Sequence, residues 1–183
     1  DHATLQTLAR EAYARFDTPA VLPLHKLDVQ TGVMELFHGP TLAFKDMALQ
    51  VLPRLLSLPL KHFDRKEDAL ILTSTSRDTG KAALEGYKDI PGGKIAVFDP
   101  NDGTSEIQRL QMATQEGGNV AVYAVNGNFD DAQRGVKVAF TDRQLADTLA
   151  VQNKKLSSAN SINWGRLVPQ VVYYVTTYLK LCE

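Results

Sequence analysis

LILTSTSRDTGKAALEGYKDIPGGKIAVF (residues 70–98) predicts one apolar strand, one helix and a second apolar strand. The strands are the runs 70–73 and 94–98, and the helix between them covers 79–88. A Pro-Gly-Gly turn at 91–93 separates the helix from the second strand. A strand, a helix and a strand in this order form one crossover unit of a parallel sheet.

The same alternation continues on the C-terminal side. A polar loop over 99–103 precedes a helix over 105–114, a strand over 119–125 and a helix over 130–142. The last element is a long helix over 165–181. Strands that alternate with helices so regularly predict an α/β fold, with a parallel sheet flanked by helices.

The last predicted helix has an apolar stripe at helical spacing. Its members are Leu167, Val171, Tyr174, Val175 and Tyr178. We interpret its tyrosines, together with Tyr173, as packing residues and not as ligand contacts.

The part of the chain before residue 70 is less regular. It predicts a helix over 4–16, a short strand over 33–37 and a helix from about residue 44 toward 60. Pro53 and Pro59 should kink or shorten that second helix, because proline lacks a backbone N–H and clashes with the preceding turn.

The composition excludes several classes of protein. The chain has 183 residues, with 20 Lys and Arg against 21 Asp and Glu, so its formal net charge is −1. This balance argues against a nucleic-acid-binding surface, and no run approaches the ~20 apolar residues of a membrane span. The single cysteine, Cys182, fits a reducing compartment, so we expect a cytoplasmic protein. The histidines lack metal-ligand spacing, and no metal site is predicted.

The segment GPTLAFKD (residues 39–46) places a lysine at the end of an apolar run, directly before an acid. Lysine is a poor nucleophile while it is protonated, and an apolar setting disfavours the ammonium form. The neutral amine of Lys45 could then condense with an aldehyde to form a Schiff base. The alternative is a surface lysine at a helix start whose ammonium group reaches solvent.

A hydroxyl-rich turn, STSRDTG at 74–80, follows an apolar strand and opens a helix. Backbone N–H groups at a helix N-terminus have no intrahelical partner and attract carboxylate or phosphate. Ser76 and Thr79 add hydroxyl donors, and Gly80 allows close approach of the backbone to a ligand. The alternative is an ordinary capped helix with Ser76 or Asp78 as N-cap.

A second polar junction precedes the last helix, and Arg166 follows one turn into that helix. Its short hydrogen-bonding side chains are Ser157, Ser158, Asn160, Ser161 and Asn163. Together with a guanidinium group they suit a small anion such as a phosphate monoester, although an ordinary capped helix start with a surface arginine explains them too. Because the carboxyl ends of parallel strands share one edge, we expect both junctions to lie at that edge.

Four segments resemble threonine synthase, in the order that this family has them. ELFHGPTLAFKD at 35–46 resembles the family's lysine signature for pyridoxal 5′-phosphate (PLP), and 71–86 resembles its strand-loop-helix with S-G-D-T-G. Residues 105–117 and 157–170 resemble further segments. The resemblance begins at about Phe16 and covers nearly all of the chain after it. It implies an α/β fold of PLP fold type II.

The resemblance implies that the protein is a PLP-dependent lyase of threonine biosynthesis, which converts O-phosphohomoserine and water to threonine and phosphate. Lys45 is implied to hold PLP through a Schiff base and then to shuttle protons between substrate carbons. Asp78 and Thr79 are implied to lie beside the cofactor. The groups implied to bind the substrate are those of Ser76, Asp78, Thr79, Gly80, Ser158, Asn160, Ser161, Asn163 and Arg166.

The chain also departs from the family. Arg77 stands where the family has glycine in S-G-D-T-G, and Asp99 stands where an aromatic residue is commoner. Family members are much longer, so the resemblance implies that residues 1–69 are a lysine-bearing part of the larger domain. Residues 70–183 are then the smaller α/β domain, and the remainder of the larger domain is absent. We expect such a piece alone to bind PLP weakly and to turn over poorly.

Two alternatives stay open. The first is another fold type II enzyme, such as a threonine dehydratase or a cysteine synthase. Those families resemble this chain less around 36–46 and lack an equivalent of SANSIN at 158–163. The second is a non-catalytic relative that binds phosphorylated ligands. Arg77 favours this second alternative.

Overall fold

The computed structural model describes residues 1–62, 67–75, 78–101, 105–160 and 163–182. The strands in these ranges are β1 (Leu24–Lys26), β2 (Gly32–Met34), β3 (Asp68–Ser74), β4 (Gly93–Pro100), β5 (Val120–Val125) and β6 (Lys154–Ser157). The helices are α1 (His2–Tyr13), α2 (Asp46–Leu49), α3 (Leu52–His62), α4 (Asp78–Tyr87), α5 (Glu106–Ala113), α6 (Phe129–Thr141), α7 (Arg143–Val151) and α8 (Trp164–Cys182). Across these ranges, every helix is too short or too polar to cross a lipid bilayer.

Strands β3 to β6 form one parallel sheet in the order β5-β4-β3-β6. Ile95 and Val97 of β4 are buried in one cluster with Leu84 of α4 and Met112 of α5, so these two helices cover one face. Helix α6 packs on β3 and β4 from the other face, where strand alternation places the buried Leu72. The predicted fold class, α/β with a parallel sheet flanked by helices, is confirmed.

Two features around the sheet differ from the prediction. The loop predicted at 99–103 starts later, because Asp99 and Pro100 still pair with β5; residues 102–104 lie outside the described ranges. The sequence pattern also did not predict α7. That helix has nine residues, of which only Leu149 is buried.

The helix predicted from residue 44 toward 60 is two helices, α2 and α3, separated at Gln50 and Val51. Pro53 explains the break, because its ring nitrogen cannot donate to the carbonyl of Leu49 one turn earlier. Both short helices are buried on the inward side, with Leu49 and Leu52 in the same core cluster as the sheet. Helix α2 therefore fixes the residue before it, Lys45, relative to the sheet.

The N-terminal part packs on α2 and α8. Strands β1 and β2 form an antiparallel hairpin; β1 was not predicted, and β2 is shorter than the predicted strand over 33–37. Leu22, Met47 and Tyr173 form a buried cluster beneath this part of the chain. The hydroxyl of Tyr13 donates to Met47 O at 3.0 Å, and Lys180 Nζ donates to Leu22 O at 2.6 Å.

The range of helix α8 includes the whole of the predicted helix over 165–181, but the apolar stripe of this helix faces outward. Tyr173 is buried as expected, whereas Tyr174 and Tyr178 are exposed. The aliphatic members of the stripe, Leu167, Val171 and Val175, are exposed as well. The packing role predicted for Tyr174 and Tyr178 is therefore wrong for the described structure.

His38 connects the hairpin to the loop after α1 and lies just before the lysine segment. Its Nδ1 is 2.5 Å from Asp17 Oδ1 and its Nε2 is 2.6 Å from Glu35 Oε2. The bond to Glu35, followed by the bond to Asp17, raises the pKa of His38 above its usual value. The bond to His38 in turn lowers the pKa of Glu35.

These shifts predict a pH-dependent stability. A raised folded-state pKa means that the contribution of His38 is fully present below its ordinary pKa of 6.5 and is lost as the pH rises through the folded-state pKa. We expect the difference in free energy of unfolding between the unmodified protein and His38→Gln to shrink from about pH 6 to about pH 9. Urea unfolding at both pH values measures it, with His2→Gln on α1 as control. A difference that is constant or grows contradicts the prediction.

Candidate active site

The sheet topology brings two helix N-termini to one edge. Strands β3 and β6 are parallel neighbours, so their carboxyl ends, Ser74 and Ser157, lie at the same edge. Helix α4 begins at Asp78 soon after β3, and α8 begins at Trp164 soon after β6. The unpaired N–H groups of a helix start carry partial positive charge, so this edge attracts anions.

The loop before α2 holds Lys45 in place. Both oxygens of the Asp46 carboxylate accept from Thr41, from its backbone N at 2.8 Å and from its Oγ1 at 2.7 Å. Leu42 between them has φ +58°, a left-handed conformation that is rare for a residue with a side chain. A Cβ on Gly39 would overlap the Asp46 side chain, so only glycine fits there. The segment 39–46 is thus a closed turn around one buried acid.

Burial raises the pKa of that acid, Asp46, while its bonds to Thr41 and to the Ala43 backbone lower it. The balance favours the protonated form more than in a free aspartic acid. The two bonds from Thr41 favour the ionised form, but they offset only part of the effect of burial.

The amine of Lys45 lies at the start of α4. Its Nζ is 3.4 Å from Asp78 Oδ2 and 4.7 Å from the centre of the Phe44 ring. The lysine side chain is only 17% exposed. The predicted apolar setting is only partly present, because Leu42 and Phe44 are 67% and 41% exposed. The nearest partners of the amine are a carboxylate and an aromatic face, and both attract an ammonium group.

Lys45 opens onto a cavity of about 840 Å³ at the carboxyl edge of the sheet. The cavity lies between the ends of β3 and β6, α6 and the start of α8. Of the residues predicted for the site, it is lined by Lys45, Thr79, Ser158, Asn160 and Arg166. Residues from both polar junctions of the sequence therefore meet the lysine in one space.

Arg166 is the buried cation of this cavity, with 8% of the residue exposed. Its Nη1 donates to Ala159 O at 3.0 Å, and nothing in the described residues accepts from its Nε. Burial lowers the pKa of the guanidinium, which nevertheless stays charged at neutral pH. A buried donor without an acceptor is costly, and an anionic ligand would satisfy it.

The other predicted residues of the second junction have structural contacts. Asn163 Nδ2 donates to Ser158 O at 3.0 Å, and Asn163 Oδ1 accepts from Gly165 N at 3.0 Å. Asn163 thus caps α8 and does not line the cavity. Ser158 Oγ accepts from the backbone N of Asn160 at 3.2 Å, which closes the turn that presents both residues.

Gly80 also lies outside the cavity lining. Its backbone N donates to Thr75 Oγ1 at 3.1 Å, and a Cβ there would overlap the Thr75 methyl group. Its place is set by close packing of α4 on the end of β3. Ser76, Arg77 and Ser161 lie outside the described residues.

Sequence reasoning missed the wall of the cavity that α6 supplies. The lining residues from this helix are Phe129, Gln133, Val136, Lys137, Phe140 and Thr141. They share one face at helical spacing, and the polar Gln133 and Lys137 beside apolar residues were the only signal in the sequence. Thr73 and Ser74 complete the wall from β3.

No family model matches the chain. Threonine synthase of Pseudomonas aeruginosa is 43% identical over 98% of this chain, which is 37% of that protein. The crystal structure of PLP-bound threonine synthase from Brucella melitensis has a TM-score of 0.88 and 44% identity over 98% of this chain and 37% of that one. Yeast threonine synthase has a TM-score of 0.85 and 32% identity over 97% of this chain and 36% of that one.

These matches agree in sequence, in fold and in the portion of the relatives that they cover. The chain spans 37% of the length of the Pseudomonas and Brucella proteins. This chain is a homologue of the threonine synthases and corresponds to a part of them.

Proposed function

We propose that this chain forms the lysine-bearing part of a threonine synthase, which converts O-phosphohomoserine and water to threonine and phosphate. The observation that carries the proposal is the position of Lys45 Nζ, 3.4 Å from Asp78 Oδ2 and in one cavity with Arg166. The cavity joins an amine that can form a Schiff base to a buried cation that can bind phosphate. The names of the relatives favour this reaction over those of a threonine dehydratase or a cysteine synthase.

The residues present fit PLP as a cofactor. Lys45 offers its amine beside the N-terminus of α4, Thr79 offers a hydroxyl, and Phe129 and Phe140 give the cavity an apolar wall. When bound, PLP supplies the electron sink that stabilises negative charge on the substrate carbons. We propose that Lys45, Asp78 and Thr79 hold it. The PLP-bound relative from Brucella supports PLP as the cofactor.

Lys45 would have two roles in the reaction. Its Nζ holds the cofactor, and once released it moves protons between neighbouring carbons of the substrate. Asp78 Oδ2, the nearest acid, orients the amine. The hydrogen bonds from Thr41 to Asp46 fix the backbone next to Lys45. The side chain of Lys45 therefore extends from a fixed point, and its amine returns to one position.

The substrate would lie between the two helix N-termini. The start of α4, with the backbone N–H of Asp78 and the hydroxyl of Thr79, is proposed to receive the substrate carboxylate. Gly80, whose N–H donates to Thr75, would act indirectly by fixing this turn. Arg166, with Ser158 and Asn160, is proposed to bind the phosphate, because all three line the cavity. Asn163 would act indirectly by capping α8, and Ser76 and Ser161 keep the substrate-binding role that the resemblance implies.

We also propose the division into a lysine-bearing segment of a larger domain, 1–69, and a smaller α/β domain, 70–183. The match to only 37% of the relatives' length supports it. A cytoplasmic location is part of the proposal and rests on the single, unpaired Cys182.

The test of the function uses the longer protein of which, by this proposal, the chain is the lysine-bearing part, with added PLP. We expect release of phosphate and formation of threonine from O-phosphohomoserine in equal amounts. The same preparation is offered threonine alone, and O-acetylserine with sulfide, which are the substrates of the two alternative enzymes. Turnover of either of these, without phosphate release from O-phosphohomoserine, contradicts the proposal. Binding of O-phosphohomoserine without turnover would instead support the non-catalytic relative.

Arg166→Gln should weaken substrate binding. Loss of a charge-assisted contact to phosphate is expected to raise the KM for O-phosphohomoserine about tenfold to a hundredfold. Steady-state kinetics measures KM, and urea unfolding checks that the variant is folded. Arg143→Gln, at the exposed start of α7, is the matched control. An unchanged KM in a folded Arg166→Gln protein would remove this residue from the phosphate site.

A further inference from the structure

A second cavity, of about 310 Å³, lies on the opposite side of the sheet from α6. It is bounded by α5 and by strands β4 and β5. Its lining shares no residue with the cavity around Lys45. Its volume is at the lower end of the range for sites that bind small metabolites.

One lining residue of this cavity is a buried acid. Asp99 is 7% exposed and follows Val97 on the face of β4 that α4 and α5 cover. Nothing in the described residues donates a hydrogen bond to its Oδ1. Burial raises the pKa of Asp99. A carboxylate in this position is costly unless a donor reaches it.

The lining of the same cavity also includes a cation. Arg109 projects from α5, lines the same space, and makes no ion pair within the part of the chain that the structure describes. The residue is exposed, and an arginine side chain can cover apolar surface with its stem while its guanidinium group stays in water. Guanidinium groups favour carboxylate ligands, which they bind through two parallel hydrogen bonds.

Most of the other lining residues are apolar. Met112 is buried, and Val120 and Val122 of β5 pack partly buried against the same cluster. A ligand that fits must therefore combine a cation, an anion and a small hydrocarbon group. A simple anion would face Asp99. A lone metal ion would find one carboxylate among the described lining residues, whereas hard cations need several oxygen ligands.

We propose that this cavity binds a free aliphatic α-amino acid, with its ammonium group at Asp99, its carboxylate at Arg109 and its side chain on the apolar wall. The ammonium group supplies the donor that Asp99 Oδ1 lacks. The site is separate from Lys45 and needs no cofactor. This proposal can therefore be tested independently of the function proposed above.

The experiment is calorimetric titration of the chain with L-valine, without added PLP. We expect one site per chain with an affinity in the millimolar range or tighter, as suits a ligand of this size. Isobutylamine and isovalerate each keep the hydrocarbon group but lack one charge. Because each loses a charge-assisted contact, we expect both to bind at least about tenfold more weakly.

Variants locate the site. Asp99→Asn and Arg109→Gln should each weaken valine binding at least about tenfold. The exposed α7 variants Asp147→Asn and Arg143→Gln should leave it unchanged, and so should Lys45→Ala, which tests whether valine enters the other cavity. Absence of valine binding, equal binding of the two analogues, or full binding by Arg109→Gln overturns the proposal. Should Asp99→Asn fail to fold, Arg109→Gln and the analogues still decide it.

Discussion

Lys45→Ala should abolish covalent attachment of PLP and lower the rate of phosphate release about 10²- to 10⁴-fold or more. The range is what a positioned acid-base group contributes, and loss of the covalent link adds to it. No other described lysine can take over easily. Lys137 lines the same cavity, but it stands on α6, on the far wall from Asp78 and the start of α4.

The attachment is measured by incubation with PLP, reduction with borohydride and mass spectrometry of the peptides. We expect the added mass on the peptide that contains Lys45. Lys137→Ala is the matched control and should keep the label on that peptide. Equal labelling of Lys45→Ala and of the unmodified protein would show that the amine at the start of α2 is not the one that captures the aldehyde.

Gly86→Ala should destabilise the fold by about 3 kcal/mol or more. Gly86 lies in α4, and a Cβ at this position would overlap the carbonyl oxygen of Leu49 at the end of α2. The neighbouring atoms are backbone, so relief requires the two helices to move apart. Their contact also sets the spacing between Lys45, directly before α2, and Asp78, the first residue of α4.

Urea unfolding measures the loss, and Gly135→Ala is the matched control. Gly135 lies inside α6, and a Cβ there meets nothing within 4 Å. This second substitution should stabilise the protein by about 0.5–1 kcal/mol, because alanine loses less entropy than glycine in a helix. If Gly86→Ala instead gains stability as Gly135→Ala does, helix propensity and not the α2–α4 contact decides the effect at position 86.

Local pattern predicts the central sheet well. β3, β4 and β5 are apolar runs bounded by breakers such as Pro91 and Gly92, so their order and direction follow from alternation with helices. The meeting of Lys45 with Asp78, 33 residues later, does not follow from periodicity. It was expected from the family resemblance and from the rule that ligands bind at the carboxyl edge of a parallel sheet.

The sequence did not predict which face of each helix points toward the rest of the protein. Helical spacing predicts which residues share a face, but not which neighbour that face meets. Gln133 and Lys137 were therefore missed as lining residues of the cavity. For the same reason, the stripe that contains Tyr174 and Tyr178 was predicted to pack, although it faces outward.

The outward face of α8 has a practical consequence at the bench. Valine, leucine and tyrosine side chains along most of its length are open to water. A surface of this kind binds fluorescent hydrophobic dyes and adheres to resins and to plastic. Light scattering should rise steeply with protein concentration and with added ammonium sulfate, so spectra and heats of titration are best recorded from dilute, low-salt samples.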